Sequence, residues 1–304
     1  MYIPGAKTSR MKLFRKRYVA LIVILGMFVT CRMEFLKFRK SEEKQASFLK
    51  ENGVSDYRFG EITVGDRKVH YTHVGADTLP VVLFVHGSPG SSADALGYLV
   101  NPGLRAFQRV SIDRPGFGYS DFGRVEPSLK KQAECVAELL RRYPARPAVL
   151  VGHSYGGPVI ARVAMDYPGL VDGIVIVAGA LDPDLEPDYW WQKPLDWPLV
   201  RSLLPPAFRV SNQEITPLKE ELEAMQDRWS EINCAVTLVQ GLEDGLVHPD
   251  NYLFAEKYIV NAEKLRIDTL GNAGHFILWT REERIVGHIL EMMEGLAENK
   301  KAGR

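Results

Sequence analysis

Six short runs rich in β-branched and other apolar residues recur along this chain: Val81–Val85, Arg109–Ile112, Ala148–Val151, Val171–Val177, Val236–Gln240 and Leu265–Thr269. Stretches of helical periodicity fall between and after them, at Ser128–Arg142, Pro158–Tyr167, Asn251–Val260 and Glu282–Leu296. A strand without a polar face must be covered on both sides. The alternation therefore predicts an α/β protein, a mostly parallel central sheet flanked by helices. Ahead of this series, Phe59–Val64 and Lys68–Val74 meet at Gly65-Asp66, which predicts a hairpin supplying an antiparallel edge.

One segment breaks the rhythm. Residues 181–232 hold Tyr189, Trp190, Trp191, Trp197 and Trp229 among many prolines, with a helix beginning near Thr216-Pro217. Lying between two sheet strands, this segment reads as an inserted helical cap on a body formed by 57–180 and 233–297. A length of 304 residues suits one core with such an insertion. Thirty-eight basic residues balance thirty-eight acidic ones, and no basic stripe crosses the body, so nucleic acid is not an expected partner. Cys135 and Cys234 read as buried small apolar residues rather than a disulfide. No Cys/His cluster has metal-ligand spacing, so neither a metal nor a cofactor is expected.

The first 32 residues read as a signal or membrane-anchor segment. Lys12, Arg15, Lys16 and Arg17 precede an apolar run from Tyr18 to Cys31, and Arg32 restores charge. The run, about fourteen residues, is short of the roughly twenty a spanning helix needs. Met11 is an alternative start. Cys31 stands where a bacterial lipoprotein carries its lipidated cysteine, although Phe28, Val29 and Thr30 depart from the usual pattern before it. An uncleaved short anchor is the alternative, and plain secretion lacks a small-x-small cleavage site. Both favoured fates tether the protein to a membrane outside the cytosol. Residues 33–56, strongly charged, read as a stalk or linker that could be helical.

Chemistry enters at Gly152-His153-Ser154-Tyr155-Gly156. This G-x-S-x-G follows a strand and precedes a helix, the context of a nucleophile elbow with Ser154 at its tip. A serine hydroxyl needs a base to take its proton. His275, in Gly271-Asn272-Ala273-Gly274-His275-Phe276, follows the last strand, at the end of the sheet where ligands gather in open α/β folds. The base needs an acid partner, and Asp244 in Gly241-Leu242-Glu243-Asp244-Gly245 follows the preceding strand. Glu243 and Asp182 are the alternatives. Two backbone N–H groups would receive the developing oxyanion: that of Tyr155, and that of Ser88 in His86-Gly87-Ser88-Pro89-Gly90, where Pro89 has no N–H to give.

Taken with Asp113-Arg114-Pro115-Gly116-Phe117-Gly118-Tyr119-Ser120, these motifs resemble the capped α/β-hydrolase superfamily over roughly residues 57–297. The resemblance implies the α/β-hydrolase fold, and makes 113–120 a structural loop near the site. His-Gly-Ser-Pro-Gly stands in place of the His-Gly-Gly-Gly of many lipases and esterases. Serine at the elbow argues against the epoxide hydrolases and dehalogenases, which carry aspartate there. The expected activity is hydrolysis of a small or medium, fairly apolar carboxylic ester through an acyl-enzyme. The aromatic cap either shapes that apolar site or packs on the body. A carbon–carbon bond hydrolase and a prolyl aminopeptidase use the same triad. The latter needs an acidic site for the substrate amine, for which Glu186, Asp188 and Glu214 are available. A non-catalytic binding protein on this fold is the reading from a different class.

Overall fold

In a computed structural model the described residues are 35–301 and 303. The N-terminal membrane segment expected from the sequence, Cys31 included, lies outside them.

Eight strands form one sheet: β1 (Tyr57–Val64), β2 (Arg67–Val74), β3 (Val81–Val85), β4 (Gln108–Ile112), β5 (Ala148–His153), β6 (Gly173–Val177), β7 (Ala235–Gly241) and β8 (Lys264–Leu270). Their spatial order is β1-β2-β4-β3-β5-β6-β7-β8. The opening hairpin pairs antiparallel with itself and with β4, and every other pairing is parallel. Each apolar strand sends alternate residues to opposite faces, as a period of two demands. Val81, Leu83, Leu150, Ile174 and Ile176 enter one core; Val82, Phe84, Val149, Val175 and Val177 enter the other.

The helices are α1 (Glu42–Glu51), α2 (Leu96–Val100), α3 (Leu129–Leu140), α4 (Gly156–Asp166), α5 (Gln192–Leu195), α6 (Pro198–Leu203), α7 (Pro206–Ile215), α8 (Leu218–Glu223), α9 (Asn251–Tyr258), α10 (Ile277–Thr280) and α11 (Glu282–Lys301). The first core is covered by α3, α4 and α9, and the second by α1, α2 and α11. Helices α5 to α8 all lie between β6 and β7. Cys135 and Cys234 are buried free thiols. Among the described residues no helix is long and apolar enough to cross a membrane.

The charged segment expected to be a stalk or linker is helical over Glu42–Glu51, and that helix is docked on the body. Leu49 of α1 is fully buried in the second core. Gln45 accepts a hydrogen bond from the Thr72 hydroxyl at 3.2 Å, and Glu42 pairs with the buried His70 at 3.1 Å. Ahead of α1, the Arg39 guanidinium lies over the rings of Tyr119 and Phe122. The charges mask a helix that buries only one narrow apolar edge, so composition alone suggested solvent on all sides.

Candidate active site

Two close approaches of backbone build the centre. Ser154 has φ +54°, a left-handed conformation that costs a non-glycine residue about 1–2 kcal/mol. Its N–H donates to Val177 O at 2.9 Å, and its carbonyl accepts from Gly157 N–H at 2.9 Å, which holds the turn. A Cβ on Gly152 would sit 2.4 Å from Gly156 O, and one on Gly156 would sit 2.3 Å from Val85 O. Only glycine permits the chain to fold back this tightly between β5 and α4. The parallel pairing of Val85 with Gly152 brings the 86–90 loop beside the turn. A Cβ on Gly87 would lie 3.0 Å from Ser154 Cβ.

On the other flank, the loops after β7 and β8 are tied together. Leu242 N–H donates to Leu270 O and Glu243 N–H to Ala273 O, both at 2.9 Å. This brings His275 Nδ1 to 2.9 Å from Asp244 Oδ2. Asp244 Oδ1 accepts from Leu246 and Val247 N–H, each at 2.9 Å. Burial pushes the Asp244 carboxyl up, but the bonds from His275 and the two backbone donors outweigh it and hold it below its ordinary value. It is therefore a carboxylate at neutral pH, and as an acceptor it places a proton on His275 Nδ1. His153, beside Ser154, holds this loop from below, its Nε2 3.2 Å from His275 O and its ring 4.9 Å from that of His275. Burial, with His275 nearby, pulls the His153 imidazole down to about 3, so it stays neutral.

The alternative acids are placed elsewhere. Glu243 is exposed, and Asp182 accepts from Asp184 N–H at the start of a short helical turn. Among the described residues, the N–H groups of Ser88 and Tyr155 have no protein acceptor. The 113–120 loop is built around the buried Asp113, which accepts from Ser92 N–H and Tyr119 N–H and pairs with His70 at 2.8 Å.

Sequence reasoning missed Arg114. Its N–H donates to His86 Nε2 at 2.9 Å, so His86 carries its proton on Nδ1, which donates to Gly87 O at 2.7 Å. Burial, then the Arg114 charge, pulls His86 down to about 3 and keeps it neutral. Arg114 Nη2 donates to the same Gly87 carbonyl at 2.8 Å. Gly87 C=O and Ser88 N–H are opposite ends of one planar peptide, so clamping the carbonyl aims and polarises the N–H. The guanidinium also lies 4.5 Å from the centre of the Tyr155 ring.

That guanidinium is neutralised by Glu214 of α7 through two hydrogen bonds of 2.8 Å, with both side chains almost wholly buried. A second link joins α7 to the same loop, the Ser88 hydroxyl donating to Ser211 Oγ at 2.8 Å. Glu214 is thus consumed by Arg114 and is not a free acidic site for a substrate amine. The cap aromatics divide between packing on the body and facing solvent. Trp229 is fully buried against Phe254 of α9, whereas Tyr189, Trp190, Trp191 and Trp197 are exposed. The described residues contain no group of three or more His, Cys, Asp or Glu arranged to hold a metal.

A doubly covered, mostly parallel sheet, a strained serine turn after its central strand β5, and paired loops carrying Asp244 and His275 after β7 and β8 define the α/β-hydrolase fold. The family model for the alpha/beta hydrolase fold matches residues 80–199. An uncharacterized hydrolase of Saccharomyces cerevisiae is 30% identical over 158 residues, 49% of this chain and 54% of that protein. The dihydrolipoyllysine-residue acetyltransferase component of an acetoin cleaving system from Cupriavidus necator is 31% identical over 128 residues, 42% of this chain and 33% of that protein. The matched segments thus span a third to about half of these relatives. Among solved structures, a bacterial membrane phospholipase A aligns with TM-score 0.61 at 18% identity, covering 93% of this chain and 99% of that one. Est816, an N-acyl homoserine lactone degrading enzyme, aligns with TM-score 0.61 at 19% identity, covering 76% and 99%. The chain thus has the α/β-hydrolase fold, and its residues 80–199 match the family model for that fold.

Proposed function

We propose that this protein is a serine hydrolase of carboxylic esters, acting through an acyl-enzyme on Ser154. The observation that carries the reading is the buried Asp244–His275 pair at 2.9 Å, whose histidine ring lies 4.9 Å from that of His153, the residue before a serine held at φ +54°. Ser154 Oγ attacks the ester carbonyl while His275 Nε2 takes its proton. The carbonyl oxygen becomes an oxyanion received by the Ser88 and Tyr155 N–H groups. His275 then returns the proton to the departing alcohol, and water repeats the sequence to release the acid. Asp244 stabilises the imidazolium and is not itself protonated. Several neighbours in fold act on esters by their names, a phospholipase and a lactone-degrading enzyme among them, which supports the same chemistry here.

The acyl-enzyme reading is tested by fluorophosphonate labelling of the folded chain and by turnover of a panel of p-nitrophenyl esters. A covalent adduct on Ser154 and its loss in Ser154→Ala are expected. A folded wild-type chain that takes no label would sink the proposal and favour a binding protein on this fold. We further propose that Cys31, lipidated after removal of the apolar run before it, tethers the enzyme to a membrane outside the cytosol. Unchanged lipid labelling in Cys31→Ser would instead leave a short uncleaved anchor.

A further inference from the structure

The large apolar side chains left in solvent are not scattered evenly over the described surface. Trp190 is 82% exposed, Leu199 76% and Leu203 78%, and Trp197 is also exposed. Leu199 and Leu203 lie four residues apart on one face of α6, and Trp197 immediately precedes that helix. The cap thus carries an apolar crest that the described residues leave largely uncovered. Two further exposed residues sit in the catalytic loops: Leu246 two positions from Asp244, and Phe276 directly after His275. Concentrated apolar exposure of this kind marks an interaction surface.

The path of the chain identifies what covers it. The exposed Phe35 packs against Phe38 with ring centres 6.2 Å apart, and Phe38 stands edge-on to Phe208 of the cap helix α7 at 5.1 Å. The start of the described chain is therefore pinned to the cap. The apolar sequence Tyr18–Cys31 ends only four residues before Phe35, at most about 14 Å of fully extended chain. Tryptophan, with an apolar ring and a polar N–H, is the residue best suited to the boundary between lipid headgroups and acyl chains.

We infer, resting on the proposed membrane tether, that the cap crest of Trp190, Trp197, Leu199 and Leu203 docks on the lipid bilayer to which the N-terminus is held. A tether joined beside Phe208 and a crest on the same cap together orient the molecule, with the Ser154 side of the sheet towards the membrane. The docking does not depend on the ester-hydrolase reading.

The test uses the full chain bound to phosphatidylcholine vesicles, either plain or brominated along the acyl chains. Tryptophan emission is expected to be quenched by the brominated lipid. The variant Trp190→Phe/Trp197→Phe, which keeps both positions apolar, should lose most of that quenching. Leu199→Glu/Leu203→Glu should lose it while the chain remains vesicle-bound, and both variants alter exposed positions and should keep the wild-type circular dichroism. Equal emission in the two vesicles, or quenching unchanged in the phenylalanine variant, would overturn the inference. So would crest tryptophans shielded from aqueous acrylamide yet untouched by bromine, which would assign the crest to a second copy or another segment of the chain.

Discussion

Glu214→Gln is the most informative single substitution, because it keeps the shape of the side chain and removes only its charge. In the native site the carboxylate accepts two bonds of 2.8 Å from Arg114 and a third from Gln132 at 3.1 Å. The amide replaces one acceptor with a donor facing another donor, and leaves a guanidinium buried without a counter-charge. Breaking a buried pair in this way costs about 3–5 kcal/mol. For a domain of this size that lowers Tm by roughly 6–10 °C. Arg114 also clamps Gly87 O, so the aim of the Ser88 N–H should suffer. The fall in kcat for an ester substrate is bounded by the loss of a whole oxyanion donor, about 10²–10³. The double variant Arg114→Met/Glu214→Leu separates the two effects. With no charge left buried it should recover most of the stability, yet its kcat should stay low because nothing holds the peptide. Thermal melts and ester turnover on the three proteins read this directly. A Tm of Glu214→Gln within about 2 °C of wild type, or full activity in the double variant, would refute the reasoning.

Ser154→Ala and His275→Ala should each cut ester turnover by at least about 10⁴-fold with the fold intact, and Asp244→Asn by a similar factor because the amide can favour the wrong tautomer; near-normal rates in any of the three would remove that residue from the mechanism. Gly156→Ala forces a Cβ to within 2.3 Å of Val85 O, backbone that can yield only by parting β3 from the elbow. A melt of that variant should show a loss of about 1–3 kcal/mol, and an unaltered Tm would mean the turn is looser than described here. Burial pushes the Asp94 carboxyl up to about 7, against a bond from Ser91 N–H that favours the anion. Its folded pKa lies above its unfolded value, so the native state binds the extra proton. That contribution to stability is complete below the unfolded pKa, about 4, and is lost as pH rises through about 7. Chemical denaturation across that window should show stability falling with pH in wild type and a flatter profile in Asp94→Asn; identical slopes would exclude Asp94 as the source.

The parts of this protein legible in its sequence are those whose cause is local. Strands such as Val81–Val85 and Ile174–Val177 announce themselves because a strand buried on both faces must be apolar at every position. Ser154 is legible because a strained turn between strand and helix leaves glycine as the tolerated residue at 152 and 156. Asp244 and His275 follow from the rule that loops after parallel strands converge at one end of the sheet. Other features depend on groups far apart in the chain, and only the tertiary structure decided them. Arg114 and Glu214 stand a hundred positions apart, and neither carries a sign of burial, since a charged side chain is ordinarily a surface residue until its partner is known. Helix α1 looked like a solvated stalk because burial of Leu49 and Gln45 depends on the sheet beneath them. The cap aromatics show the same division: their presence is written in residues 189–229, whereas the inward direction of Trp229 and the outward direction of Trp190 and Trp197 arise from how the cap helices pack. Local chemistry chose the serine turn and the layers of the fold; long-range packing chose what braces the 86–90 loop and which surface the cap presents.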